Sequence, residues 1–294
     1  MADDIKNENE QESSSGLPRR GFVMSVAAGL AAAGSAQGAG MPVTMTDVEI
    51  KTPDGTCDAA FIHPTSGSHP GVLIWTDAFG LRPSMRAIGK RIAADGYSVL
   101  VPNPFYRVSK SPQFEDASKF SFSNQADRAK LTPLMGSITA PGACEKDAVA
   151  FIQWLDSQKE VNKSKKIGTQ GYCMGGPLVV RTCAAVPDRL GAGGSFHGGG
   201  LVTDKPDSPH LLAPKINARM YFGIAANDDQ RQPDAKDKLK EAFGSKAEIE
   251  LYPASLHGWC VPDMPMQDGK PIYNKPDAER AWAKLVALYK GALA

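Results

Sequence analysis

Neither sign of charge dominates this chain: 33 lysines and arginines stand against 32 aspartates and glutamates. That balance, with no basic stripe in any segment, excludes a general binder of nucleic acid or other polyanions. No apolar run is long enough to span a bilayer unaided, so no stable membrane span is expected in the mature protein. No repeat occurs at solenoid spacing, and none of the five cysteines belongs to a Cys-x-x-Cys pair. Repeat architectures, thioredoxin-like chemistry and a structural zinc site therefore lack their usual signatures. What is present is ordinary for a globular protein: 294 residues, 42% hydrophobic and 22% charged, enough for one sizeable core.

The first forty or so residues differ from the rest. A polar leader rich in Ser, Glu and Asn ends in Pro18-Arg19-Arg20-Gly21-Phe22, and residues 25–40 are nearly all Ala, Gly, Ser and Val. Paired arginines, a mildly apolar stretch and a small-residue exit, in that order, resemble a twin-arginine (Tat) export signal. Residues 1–40 are thus expected to be a signal with a disordered leader, cleaved between positions 36 and 41, and 41–294 to be one domain. The Tat translocon would be the partner during export, and the mature protein would be periplasmic or secreted. An oxidising compartment permits disulfides. With Cys173 set aside, Cys57, Cys144, Cys183 and Cys260 allow three full pairings, but a domain of this size needs none, and at most one bridge is expected.

Past the leader, strand-like and helix-like patterns alternate. Apolar runs suited to strands lie at 59–63, 71–75, 98–101, 166–170, 191–196, 220–225 and 247–252, and helical patterns at 85–95, 144–158, 176–186, 234–243 and 276–293. Such alternation predicts an α/β fold, a mostly parallel sheet with helices on both faces and its site at the carboxyl ends of the strands. The segment 104–142 is weakly patterned and is expected to be an excursion that helps roof the site.

The most specific motif is Gly171-Tyr172-Cys173-Met174-Gly175-Gly176. It sits between a strand pattern and a helix pattern, the context of a nucleophile elbow, whose sharp turn holds the central residue exposed above the sheet. Elbows of this kind expect an acid and then a histidine further along the chain. Asn227-Asp228-Asp229 follows one later strand and His257-Gly258-Trp259 follows the next. A thiol becomes a strong nucleophile only as thiolate; an imidazole can take its proton and return it to a leaving group, and a carboxylate fixes the imidazole's tautomer. Cys173, His257 and Asp228 fit those roles, with Asp229 as the other candidate acid. The oxyanion needs two backbone donors, expected from Met174 after the nucleophile and from Ala78 in the loop after an early strand. His197 ends a strand and should border the pocket. It precedes the acid in the chain, which leaves the base role to His257.

Trp75-Thr76-Asp77-Ala78-Phe79-Gly80, Pro102-Asn103-Pro104-Phe105-Tyr106-Arg107, the Cys173 elbow, Phe196-His197-Gly198, Asn227-Asp228 and His257-Gly258 occur in this order. As a set they resemble the dienelactone hydrolase family of α/β-hydrolases over essentially everything from about Thr46 onward. The resemblance implies a Cys-Asp-His triad, hydrolysis of an enol-lactone or related small carboxylic ester through a thioester, and no metal or organic cofactor. It further implies that an acid at the position of Asp77 holds the resting thiol and that an arginine, here Arg107, helps bind a substrate carboxylate. Asp77 stands where the family usually has Glu. The family's arginine shortly after the catalytic histidine is missing, since the chain reads His257-Gly258-Trp259-Cys260-Val261-Pro262. A thioesterase or general carboxylesterase is accordingly the alternative enzyme, and a thiol redox or binding protein on the same scaffold is the alternative of another class.

Overall fold

The structure, a computed structural model, describes residues 40–294 apart from Glu115, Asp268 and Ala294; nearly all of the expected export signal therefore lies outside the described residues. Eight strands form one sheet: β1 (Val43–Thr52), β2 (Gly55–Pro64), β3 (Gly71–Trp75), β4 (Ser98–Pro102), β5 (Ile167–Tyr172), β6 (Leu190–Phe196), β7 (Arg219–Ala225) and β8 (Ala247–Tyr252). Their order across the sheet is β1-β2-β4-β3-β5-β6-β7-β8. The pairs β1/β2 and β2/β4 are antiparallel, and from β4 to β8 every pair is parallel. All residues of β3, β4 and β5 are buried, as parallel strands covered on both faces must be, and the buried Gln170 of β5 donates to the Tyr172 hydroxyl at 2.8 Å.

The helices are α1 (Pro83–Ala94), α2 (Gln125–Thr139), α3 (Ala143–Ser157), α4 (Gly175–Ala185), α5 (Ala226–Arg231), α6 (Ala235–Phe243) and α7 (Lys275–Ala292). Phe151 and Ile152 of α3, Leu178 and Val179 of α4 and Leu239 of α6 pack in one core cluster. Met85 and Ile92 of α1, with Leu285 and Tyr289 of α7, pack in the other. Each such side chain taken fully from water contributes about 1.5–3 kcal/mol, so the two faces together bind the sheet from both sides. No helix among the described residues is long and apolar enough to cross a membrane. This is an α/β-hydrolase fold in a single domain.

Three elements go beyond the sequence reading: β1, α2 and the short α5 that follows β7 directly. Strand β1 is a largely exposed edge strand, so it carries little apolar signal; its mark is the tight Pro53-Asp54 turn that closes the β1/β2 hairpin with Thr52 opposite Gly55. Helix α2 lies inside the expected excursion. It buries only Leu134 and Ile138 and contains Pro133, which leaves its apolar periodicity weak. Asn124 caps it through bonds from the amides of Ala126 and Asp127, an N-cap signal legible in the sequence.

Candidate active site

Cys173 leaves the end of β5 with φ of +52°. A left-handed conformation costs a non-glycine residue about 1–3 kcal/mol and persists only where the surroundings overdetermine it. Here they do. The Cys173 N–H donates to Phe196 O at 3.1 Å and to His197 Nδ1 at 3.1 Å, while its C=O accepts from Gly176 N at 3.1 Å and Gly199 N at 3.3 Å. At about 1 kcal/mol apiece these bonds offset the strain. Two glycines make the turn sterically feasible. A Cβ on Gly171 would run into Gly175 O, and one on Gly175 would lie 2.6 Å from Trp75 O. The second contact presses the start of α4 against the end of β3. Trp75 reinforces it, donating from Nε1 to Thr182 Oγ1 of α4 at 2.9 Å.

That packing brings the loop after β3 beside the elbow. Ala78 and Met174 are both buried. Among the described residues neither backbone amide donates to an acceptor of the protein, which leaves two N–H groups available on the two sides of the elbow.

The acid and the histidine arrive from β7 and β8. Asp228 is in the first turn of α5, and its carboxylate accepts from His257 Nδ1, with Oδ2 at 2.8 Å and Oδ1 at 3.1 Å. The neighbouring Asp229 is engaged elsewhere, on Lys236 Nζ at 2.6 Å. Asn227 fixes the histidine's backbone by accepting its N–H on Oδ1 at 2.8 Å. Burial alone would push the His257 pKa down. The ring's interactions with Cys173 and with the Asp228 carboxylate outweigh it and raise the value to about 10. With Nδ1 taken by Asp228, Nε2 is the nitrogen left for the sulfur. The arrangement favours the imidazolium form of His257 beside the sulfur.

Asp77 requires a correction. It was expected to hold the Cys173 thiol, but its carboxylate is buried against Arg82: Nη1 donates to Oδ1 at 2.7 Å and Nη2 to Oδ2 at 2.9 Å. Oδ1 also accepts the Phe79 amide at 2.9 Å. The short Asp side chain thus turns back on its own loop. Arg82 is 3% exposed and spans to a second carboxylate, donating from Nε and Nη2 to Asp263 at 2.9 and 2.8 Å. It ties the loop carrying Ala78 to the segment that follows His257. The sequence reading missed this clamp; its only local signal is an arginine five residues after the acid.

Arg107 requires a correction too. Its guanidinium donates to Asp147 Oδ1 and Oδ2 at 2.7 and 2.8 Å and to Asp54 Oδ2 at 2.8 Å. It lies over the Tyr106 ring, 4.5 Å from the centroid. Asp147 is fully buried and needs this partner: burial pushes its pKa up and the Arg107 bonds pull it back. An arginine committed to carboxylates from the β1/β2 turn and from α3 is not a free anion clamp.

His197 is fully buried, and its ring meets His257 edge-on at 4.9 Å and Trp259 at 5.2 Å. The expected excursion does cover the loop after β3, since Phe114, Phe120 and Phe122 pack on Phe79 at 5.1–6.1 Å. All five cysteines are free thiols, with Cys57, Cys144 and Cys183 buried. Among the described residues no cluster of three His, Cys, Asp or Glu side chains could hold a metal ion.

With that geometry in view, the sequence profile of the dienelactone hydrolase family matches residues 57–293. A carboxymethylenebutenolidase of Rhodococcus opacus is 24% identical over 227 residues, which is 75% of this chain and 82% of the relative. A solved dienelactone hydrolase-like promiscuous phosphotriesterase from metagenomic libraries superimposes with a TM-score of 0.66 at 20% identity, covering 87% of this chain and 100% of the other. The dienelactone hydrolase of Anabaena variabilis superimposes with a TM-score of 0.55 at 16% identity, covering 86% and 99%. At these identities the structural likeness is one of fold.

Proposed function

This chain belongs to the dienelactone hydrolase family of carboxylic ester hydrolases, and on that premise we propose that it cleaves a small ester or enol-lactone with Cys173 as nucleophile, His257 as proton carrier and Asp228 as its orienting acid. The observation that carries the reading is His257 itself, bonded to Asp228 at 2.8 Å and raised to a pKa of about 10 by the Cys173 and Asp228 charges and bonds despite its burial. In this reading the proton has moved before substrate arrives. The thiolate attacks the carbonyl carbon, and the oxygen takes the displaced electron pair between the amides of Ala78 and Met174. As the tetrahedral adduct collapses, the carbon–oxygen bond to the leaving group breaks and His257 gives it a proton, leaving a thioester on Cys173. Neutral His257 then takes a proton from water, whose oxygen attacks the thioester, and the acid product leaves as the thiolate returns.

Arg107 favours a second reading of the substrate. With its guanidinium on Asp54 and Asp147, a substrate carboxylate has no partner at that position, and a neutral ester or thioester becomes the better candidate. Hydrolysis of a dienelactone and of p-nitrophenyl acetate by the mature chain, with Cys173→Ala as control, separates these. Both activities should vanish in Cys173→Ala, by about 10⁴-fold or more, and the neutral ester should be the faster substrate. Full activity in Cys173→Ala would remove the nucleophile; a strong preference for the lactone would restore an anion site.

Arg19-Arg20 and the small-residue stretch after them support export of the folded protein by the Tat route to the periplasm or beyond. Replacing both arginines by lysine should strand the chain in the cytoplasm with its leader attached, read by fractionation and N-terminal sequencing; unchanged export would contradict this.

A further inference from the structure

Besides glycines, only Cys173 and His197 have positive φ among the described residues, +52° and +41°, and the two are joined. The Cys173 N–H donates to His197 Nδ1 at 3.1 Å, and the same post-β6 loop returns Gly199 N to the Cys173 carbonyl at 3.3 Å. The peptide groups on both sides of the nucleophile are thus gripped by one loop. That loop is anchored to the sheet, because the His197 N–H donates to Gly223 O of β7 at 2.8 Å. The His197 ring has no freedom to swing away. It is fully buried between the edge of His257 at 4.9 Å and Trp259 at 5.2 Å.

We propose that His197 is a positioning residue, a neutral imidazole whose Nδ1 lone pair holds the strained Cys173 amide and thereby aims Sγ at His257. This inference rests on the reading of Cys173 as nucleophile and adds a second histidine with a different task. Accepting at Nδ1 places the ring proton on Nε2, where the buried nitrogen has no partner among the described residues. Protonation of Nδ1 would put two donors face to face and set a second cation against the His257 imidazolium. Burial first, then the His257 charge, keeps the His197 pKa well below the ordinary histidine value, which agrees with the geometry. A proton shuttle at this position would need a ring that titrates and reaches the sulfur; His197 instead touches the backbone of Cys173.

The role is testable because asparagine mimics an Nδ1 acceptor and tolerates positive φ, while glycine tolerates the φ without the acceptor. Glutamine carries its amide further out, near the Nε2 position. With p-nitrophenyl acetate as substrate, His197→Gly and His197→Gln should lose about 10²-fold in kcat with KM nearly unchanged, as expected for a misaimed nucleophile. His197→Asn should recover to within about fivefold of the parent. Thermal unfolding and Cys173→Ala run alongside. A purely structural histidine would lower Tm in all three variants and leave the kcat of the folded enzyme alone. The proposal fails if His197→Asn falls as far as His197→Gly, if it does not fold, or if the glycine or glutamine variant retains the parent kcat. Full turnover by Cys173→Ala would instead bring down the nucleophile reading on which it rests.

Discussion

Two aspartates leave the ends of parallel strands, Asp77 after β3 and Asp228 after β7, and their partners set them apart. Asp228 accepts from a histidine that also bonds Cys173. Asp77 is wrapped by Arg82, which no physiological pH can neutralise. The first pair can hand a proton on; the second can only hold its shape. Position at a strand's carboxyl end brings a carboxylate to the site, but the chemistry it does there is decided by what it faces. The Asp77 region is consequently structural, joining the Ala78 loop to Asp263 beyond His257 through one guanidinium.

The comparison can be broken from either side. Asp228→Asn keeps the shape of the site and removes the charge that orients and sustains the imidazolium. It should cost about 10³- to 10⁴-fold in kcat with little change in Tm. A loss of only a few-fold, measured on purified folded protein, would make Asp228 and Asp77 equivalent and sink the distinction. Arg82→Met leaves the buried Asp77 and the half-buried Asp263 without their cation. Its expected signature is a loss of about 3–5 kcal/mol in unfolding free energy by denaturant titration, with a smaller loss of kcat in the protein that remains folded. A stable Arg82→Met enzyme lacking activity would mean that Arg82 acts on substrate rather than on the loops.

Much of this is legible in the amino-acid sequence itself. The alternation of buried apolar runs with helical patterns gave the parallel core of the sheet, because strands covered on both faces leave a continuous apolar record. The elbow was readable from Gly171, Cys173 and Gly175, whose spacing reflects steric necessity: a Cβ at Gly175 would collide with the end of β3. What stayed hidden depended on partners distant in sequence. Nothing local to Arg107 announces Asp54 and Asp147, which come from the β1/β2 turn and from α3. Asp77 looked like a ligand for the thiol because its motif neighbours were in place, and the competing guanidinium of Arg82 carries no motif. His197 stood out only as a histidine at a strand end; the bond from the Cys173 amide is a product of the turn's geometry. Edge strand β1 and helix α2 were silent for a simpler reason, since they bury few side chains.

The central claim is that His257 is the proton partner of the Cys173 sulfur, and the pH dependence of Cys173 alkylation by iodoacetamide tests that most directly. The His257 pKa is raised to about 10, so the imidazolium beside the sulfur persists below that pH. It is lost as pH rises through the value, when the imidazolium gives up its proton. The rate of Cys173 modification, followed by mass spectrometry of its peptide, should therefore exceed that of His257→Ala between about pH 6 and about pH 9, because a neighbouring cation favours thiolate. In His257→Ala it should fall at low pH and climb through the ordinary thiol range near about 8.5. A parent enzyme that follows that ordinary thiol curve, indistinguishable from His257→Ala, would contradict the account.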